Sequence, residues 1–111
     1  FFSGPCMKLI PVSFIQDRRF DTRFKNGEDC LFMFLISNKF KVLKFTSKQA
    51  IYYRRYRSSS ANFSINRLQR LKNSIRLSIE YTRIYFSNTK QYNFNFYITR
   101  ILGSIRSIIS V

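Results

Sequence analysis

The clearest hydrophobic pattern lies at residues 74–83, S-I-R-L-S-I-E-Y-T-R, where apolar and polar residues alternate without interruption. Successive side chains of a strand point to opposite faces, so this alternation predicts a strand with one buried face. The residues that would be buried are Ile75, Leu77, Ile79 and Tyr81. On the solvent side the same strand would carry Arg76, and Arg83 would follow at its end.

A second strand is predicted just before the first, at residues 63–70, although its alternation slips in phase near Arg67. The two would be joined by a tight turn at Lys72-Asn73. Strands connected this closely form an antiparallel hairpin.

Helical spacing appears on both sides of the hairpin. From Glu28 the apolar residues recur at helical intervals, with acids at the start and lysines towards Lys48, an order that suits the helix dipole. A break near Ser37-Asn38 would divide this region into two shorter helices. A later helix is predicted from Phe94 to Leu102, with Gly103 as its C-terminal stop.

These elements define the expected fold. Residues 104–111 form a possible third strand, so the order is helix, strand, strand, helix, strand. The expectation is one α+β domain at residues 28–111, with helices packed on a small three-stranded sheet. Residues 1–27 hold both prolines and read as an extended basic N-terminal arm.

Charge narrows the choice of partner. The 111 residues contain 20 lysines and arginines against 5 acids, for a formal charge of +15, which favours a polyanionic partner. No apolar stretch is long enough to span a membrane, so we expect no membrane insertion. With 13 Phe and 7 Tyr among the arginines, RNA is the favoured partner, because unpaired bases stack on rings and guanidinium groups.

The densest basic-aromatic run is I-Y-Y-R-R-Y-R at residues 51–57, followed by a flexible joint at residues 58–60. It reads either as an RNA clamp or as a solvated helix end whose tyrosines lie on the sheet. The candidate RNA-binding residues drawn from the arm, this run and the hairpin are Lys8, Arg18, Arg19, Arg23, Arg54, Arg55, Arg57, Arg76 and Arg83.

The residue types needed for most catalysis are scarce. The chain has no His, and Cys6 and Cys30 do not form a C-x-x-C pair, so we predict no metal site and reduced or incidental thiols. Three glycines form no phosphate-binding loop. We expect a protein that is not an enzyme, with no cofactor and no small-molecule substrate.

Three segments, in order, resemble the small-subunit ribosomal protein S3 family. The first segment lies near the start, where K-L-I-P-V-S-F at 8–14 and F-D-T-R-F at 20–24 together resemble that family's K-x-N-P-x-S-x-R and W-D-S-R-W-F. Residues 39–45, K-F-K-V-L-K-F, resemble D-F-K-V-R-x-F-L. Residues 73–83 resemble K-S-I-R-V-T-I-H-T-A-R. The resemblance implies a KH-like domain in its bacterial arrangement, without the second domain of that family.

One departure concerns the G-x-x-G loop with which KH domains clamp RNA. The matching place is Thr89-Lys90-Gln91-Tyr92, which has no glycine, so the resemblance leaves Lys90 as at most a phosphate contact. Another departure is Ile15, which stands where the family's arm has Arg.

The expected function is that of a structural constituent of an organellar small ribosomal subunit, bound to ribosomal RNA and to neighbouring small-subunit ribosomal proteins in the subunit head. The abundance of Phe, Ile, Tyr, Asn and Lys, whose codons are A/T-rich, is usual for proteins encoded in mitochondrial and plastid genomes, although some nuclear genomes share it. The expected location is the mitochondrial matrix, with a plastid as the less favoured one. Two alternatives stay open: a free-standing KH-like protein that binds or processes RNA, and a basic accessory subunit of an organellar membrane complex.

Overall fold

The computed structural model describes residues 4–58 and 66–109, and every regular element in these two stretches is helical. The helices are α1 (Val12–Ile15), α2 (Glu28–Ile36), α3 (Arg67–Ser87) and α4 (Phe94–Ile109), and a 3₁₀ turn at Ser37–Lys39 follows α2. No strand occurs in this described part of the chain. The predicted α+β fold, a KH-like domain with helices on a three-stranded sheet, is therefore wrong.

The predicted hairpin of strands is the single helix α3. Its start is capped by Asn66, whose side-chain oxygen accepts a hydrogen bond of 2.9 Å from the Gln69 amide. No Gly or Pro interrupts residues 67–87, and the Lys72-Asn73 pair continues the helix instead of turning. Residues 63–65 of the predicted first strand lie outside the described residues.

The alternation at 74–83 predicted a strand wrongly because, at several positions, α3 buries polar residues and exposes apolar ones. Its buried positions include Ser74 and Glu80, while Ile75 and Ile79 are exposed. Leu77, Tyr81 and Ile84, which recur at intervals of three or four, supply the apolar contacts to the core.

The predicted start of α4 at Phe94 is confirmed, but the predicted stop at Gly103 is wrong. Asn93 caps the helix by accepting a 2.9 Å hydrogen bond from the Phe96 amide. Beyond Gly103 the helix continues to Ile109 because Ser104 is buried and the Ser107 hydroxyl lies 2.8 Å from that of Ser74 on α3. These contacts replace the predicted third strand, whose last residues, 110–111, lie outside the described residues.

Helix α2 begins at Glu28 as predicted and ends at Ile36, next to the predicted break at Ser37-Asn38. The second helix predicted beyond that break, towards Lys48, is wrong, because residues 40–58 form no helix. The apolar residues of α2 itself lie on all of its sides, which is typical of a buried helix. Leu31 and Phe34 face α3 and α4 in the main core. Phe32, Met33 and Ile36 form a second cluster on the opposite side.

The N-terminal arm covers this second side of α2. Ile10 and Ile15 pack against the second cluster, and the Phe20 ring stacks on Phe32 with ring centres 4.3 Å apart. Arg18 donates a 3.0 Å hydrogen bond to the Leu35 carbonyl near the end of α2. The arm is irregular apart from α1, yet it is part of the packed structure.

Gly27 allows α2 to pass close to α3. Its φ of +83° is a left-handed conformation that favours glycine, and a Cβ there would lie 2.6 Å from Leu77 Cδ1. Leu77 therefore fills the space directly beneath the start of α2.

Replacing Leu77 by Ala should lower the free energy of unfolding by about 2–4 kcal/mol, because the truncation leaves a cavity under Gly27. The matched change Ile75→Ala should alter it by less than about 0.5 kcal/mol, since Ile75 is 51% exposed. Urea denaturation followed by circular dichroism measures both. Equal losses would indicate that the two side chains share one buried face, as in a strand.

Candidate nucleic-acid interface

The most distinctive surface is the exposed segment, residues 41–58, which connects the end of α2 towards α3. Every residue in it is exposed, and its backbone is irregular apart from turns near Ser47 and at Ser58. The segment contains no acidic residue. Its positively charged residues are Lys41, Lys44, Lys48, Arg54, Arg55 and Arg57.

Aromatic rings in the exposed segment stand largely in water. Phe45, Tyr53 and Tyr56 are 74%, 85% and 81% exposed. The Arg54 guanidinium lies 5.7 Å from the centre of the Tyr56 ring, so cation and ring share one surface. Tyr52 interacts with the Cys6 thiol, and this contact raises the pKa of the Tyr52 hydroxyl.

All four predicted RNA-binding residues in the arm bond to the chain itself, and three of them donate hydrogen bonds to backbone carbonyls. Lys8 donates a 2.5 Å hydrogen bond to the Gly4 carbonyl. Arg18 is half-buried and, besides the Leu35 carbonyl, bonds the Asn38 side chain at 2.7 Å. Arg19 is exposed and donates to the Gln16 and Arg18 carbonyls, both at 2.8 Å.

Arg23 and Arg83 converge on one buried carboxylate. Glu80 of α3 is 9% exposed and pairs with Arg23 at 3.0 Å and with Arg83 at 2.8 Å. Arg23 also binds Asp21 at 2.6 Å. The hydrogen bond from Arg23 holds the pKa of Asp21 below its usual value, while its bonds to Asp21 and Glu80 raise the pKa of Arg23. The cluster ties the arm to α3.

The other predicted residues lie on separate elements. Arg76 is exposed on α3, and Lys90 is exposed in the turn between α3 and α4. That turn is closed by hydrogen bonds from the Gln91 and Tyr92 amides to the Asn88 carbonyl. Only Arg54, Arg55 and Arg57 of the predicted set occur together on the exposed segment.

The sequence reading missed Lys41, Lys44, Lys48 and Phe45 as parts of this surface. Their spacing fits the helix predicted from Glu28 towards Lys48, in which an apolar residue such as Phe45 is expected to face the core. The absence of any acidic residue between 41 and 58 was a usable signal, because a solvated helix usually carries charges of both signs.

A second feature is a cleft of about 400 Å³ between the start of α2 and the α3–α4 pair. It is lined by polar groups that include Arg100, Cys30 and Tyr81. The buried Nε of Arg100 has no hydrogen-bond partner among the described residues, and its guanidinium lies 5.4 Å from the Phe96 ring centre.

Burial governs the titration of the groups in this cleft. It raises the pKa of the Cys30 thiol to about 11, and the neighbouring Asp29 carboxylate adds to the rise. Burial likewise raises the pKa of Tyr81 well above its usual value. Both groups are therefore protonated at neutral pH.

Within residues 4–58 and 66–109, no three His, Cys, Asp or Glu side chains come together in a way that could hold a metal ion. No helix in the same stretches is both long enough and apolar enough to cross a bilayer. Comparisons with protein-family models, curated proteins and solved structures found no match to this chain.

We expect Glu80→Gln to lower the melting temperature by about 5–10 °C, because Arg23 and Arg83 lose the carboxylate that joins the arm to α3. The control Asp17→Asn removes one negative charge from an exposed position of the arm and should shift it by less than about 2 °C. Thermal denaturation by circular dichroism compares the two. Equal shifts would mean that only net charge matters.

Proposed function

We propose that this protein binds RNA as a structural component of a ribonucleoprotein particle, and that its exposed segment is the main contact. The observation that carries the proposal is the exposure of every residue from 41 to 58, in a stretch that combines six cations with four aromatic rings and no acid. The rings are Phe45, Tyr52, Tyr53 and Tyr56.

The exposed rings favour a partner with flat, stackable groups. Leaving large aromatic side chains in water forgoes the free energy that their burial would release. Unpaired RNA bases stack on such rings, and each stacked base contributes about 1–3 kcal/mol. Binding to RNA therefore orders the segment and buries ring surface that the fold itself leaves exposed.

The distribution of charge supports the same partner. Asp21 and Glu80 are already paired with Arg23 and Arg83. Asp29 bonds the Cys30 amide. The six cations of the exposed segment have no acidic neighbour in sequence, so phosphates are suitable counter-charges.

We further propose the small ribosomal subunit of a mitochondrion as the setting, with ribosomal RNA and neighbouring ribosomal proteins as partners. The resemblance to the ribosomal protein S3 family at residues 8–14 and 20–24 supports this, together with the abundance of amino acids whose codons are A/T-rich. The resemblance at 73–83 carries less weight, because those residues form part of a helix here. The role proposed is one of binding and not of catalysis.

Replacing Arg54, Arg55 and Arg57 together by Ala should weaken RNA binding and flatten its salt dependence. The slope of log K against log salt should fall by up to about 0.9 for each phosphate that the variant no longer binds, taking the duplex DNA value as a guide. Fluorescence anisotropy with labelled ribosomal RNA fragments at several salt concentrations measures both quantities.

The matched control replaces Lys25, Arg67 and Arg106 by Ala, which removes the same three charges from exposed positions outside the segment. The control should retain most of its affinity. If both triple variants lose affinity and slope equally, binding follows net charge alone and the assignment to the exposed segment is wrong.

The proposed setting has its own test. In a sucrose gradient of a mitochondrial lysate, the native protein should sediment with small ribosomal subunits, and ribonuclease should release it. Sedimentation with a small RNA particle would support a free-standing RNA-binding protein. Recovery only with detergent-solubilised membrane complexes, unaffected by ribonuclease, would contradict the RNA-binding proposal as well.

A further inference from the structure

The α3–α4 hairpin carries an apolar surface on the side of α3 that faces away from the core. On α3 the exposed apolar residues recur at helical spacing, so they share one face. Ile75, Ile79 and Phe86 are 51%, 59% and 66% exposed. We call this set the α3 stripe, and its members are Leu68, Leu71, Ile75, Ile79 and Phe86.

Helix α4 also carries exposed apolar residues. Its exposed apolar residues also recur at intervals of three or four along the later part of the helix. The two helices meet at the connecting turn, where the ring centres of Phe86 and Phe94 lie 6.4 Å and 6.3 Å from the ring centre of Tyr97. The exposed apolar residues of α4 are Phe94, Leu102, Ile105 and Ile109.

This much exposed aliphatic surface marks a contact site, because folded proteins seldom leave large contiguous apolar patches in water. It differs from the exposed segment in chemistry. Most of its members are Ile and Leu, which offer no flat ring for a base, and its two rings, Phe86 and Phe94, lie together at the connecting turn, so an apolar protein face suits most of this surface better than nucleic acid does. An amphipathic helix, in contrast, lays its apolar side on such a face.

Charge around the stripe indicates the kind of helix. Lys72 and Arg76 follow one edge of the α3 stripe by helical spacing and line a shallow depression together with Ile75. Arg83 continues this edge but is already paired with Glu80. The one acidic residue in the sequences of α3 and α4 is Glu80, which is buried on the opposite face. That edge of the apolar surface is thus basic, and no acidic residue lies on the exposed faces of α3 and α4.

We propose that the α3 stripe binds an amphipathic helix of another protein whose apolar seam is flanked by acidic residues. Ion pairs with the basic edge would set its orientation, and the apolar side chains would supply most of the contact area. A second copy of this chain is disfavoured, since two basic rims and two charges of +15 would meet. The inference does not rest on RNA binding, because no residue of the exposed segment contributes to it.

The test uses the full chain and a labelled synthetic helix of about 21 residues, which has the same length as α3. The peptide has Leu along one face and Glu on both flanks, and a matched peptide has Lys in place of Glu. Fluorescence anisotropy should show saturable binding of the Glu peptide, weakened by salt, and little binding of the Lys peptide.

Variants locate the site. Ile75→Ser with Ile79→Ser should weaken binding of the Glu peptide about tenfold, and Lys72→Ala with Arg76→Ala should reduce its salt dependence. Both pairs are exposed, so helicity should stay unchanged. The control Ile51→Ser, in the exposed segment and 71% exposed, should have no effect.

Several outcomes would overturn the proposal. One is equal binding of the two peptides, or no binding of either; another is the same loss of affinity in Ile51→Ser. Two further outcomes would assign the face to a different occupant. Co-sedimentation with phosphatidylserine vesicles that is lost in the Ile75 and Ile79 variant would indicate a membrane surface. A dimer abolished by that variant in sedimentation equilibrium would indicate a second copy.

Discussion

The Phe34 side chain is the point on which the arrangement of the helices depends. It is completely buried, and its ring lies 5.3 Å from Tyr81 of α3, 5.3 Å from Tyr92 in the connecting turn and 5.4 Å from Phe96 of α4. These separations fall in the range preferred by aromatic pairs. The Tyr92 hydroxyl then donates a 2.8 Å hydrogen bond to the Leu35 carbonyl. One ring of α2 thus fixes the hairpin of α3 and α4 against it.

Burying Phe34 places α2 at the centre, and this determines how the arginines are used. An apolar helix that packs on α3 and α4 still has a second apolar side, which the arm must cover. Arg18 and Arg23 hold the arm in place through the Leu35 carbonyl and the Glu80 carboxylate. The predicted RNA-binding residues Arg18 and Arg23 therefore stabilise the fold, whereas the exposed segment is a basic surface without acidic neighbours in sequence.

Sequence reasoning could predict the elements whose pattern agrees with their surroundings. The starts at Glu28 and Phe94 and the burial of Leu77 were readable, because acids, spacing and apolar character all favoured them. The end of α2 at Ile36 was also readable, as the predicted break near Ser37-Asn38. The absence of a second helix after this break was not readable, since apolar residues and lysines continue at helical intervals past Ile36. Nor was the continuation of α4 beyond Gly103, which depends on a hydroxyl contact between Ser107 and a residue 33 positions away.

The wrong prediction of a strand at 74–83 and the exposure of the α3 stripe have one physical cause. Ser74 and Glu80, on the inner side of α3, bond to Ser107 of α4 and to Arg23 and Arg83, respectively. Thr82, beside the α3 stripe, places its hydroxyl 2.8 Å from that of Tyr97. Such directional bonds fix the register of the helices more specifically than apolar contacts do. With part of the inner face given to them, apolar residues such as Ile75 and Ile79 occupy the outer face. The alternation along 74–83 therefore reflects a helix that has polar groups on its inner face and apolar residues on its outer face. The inner polar groups are bonded within the chain, and the outer apolar residues are exposed.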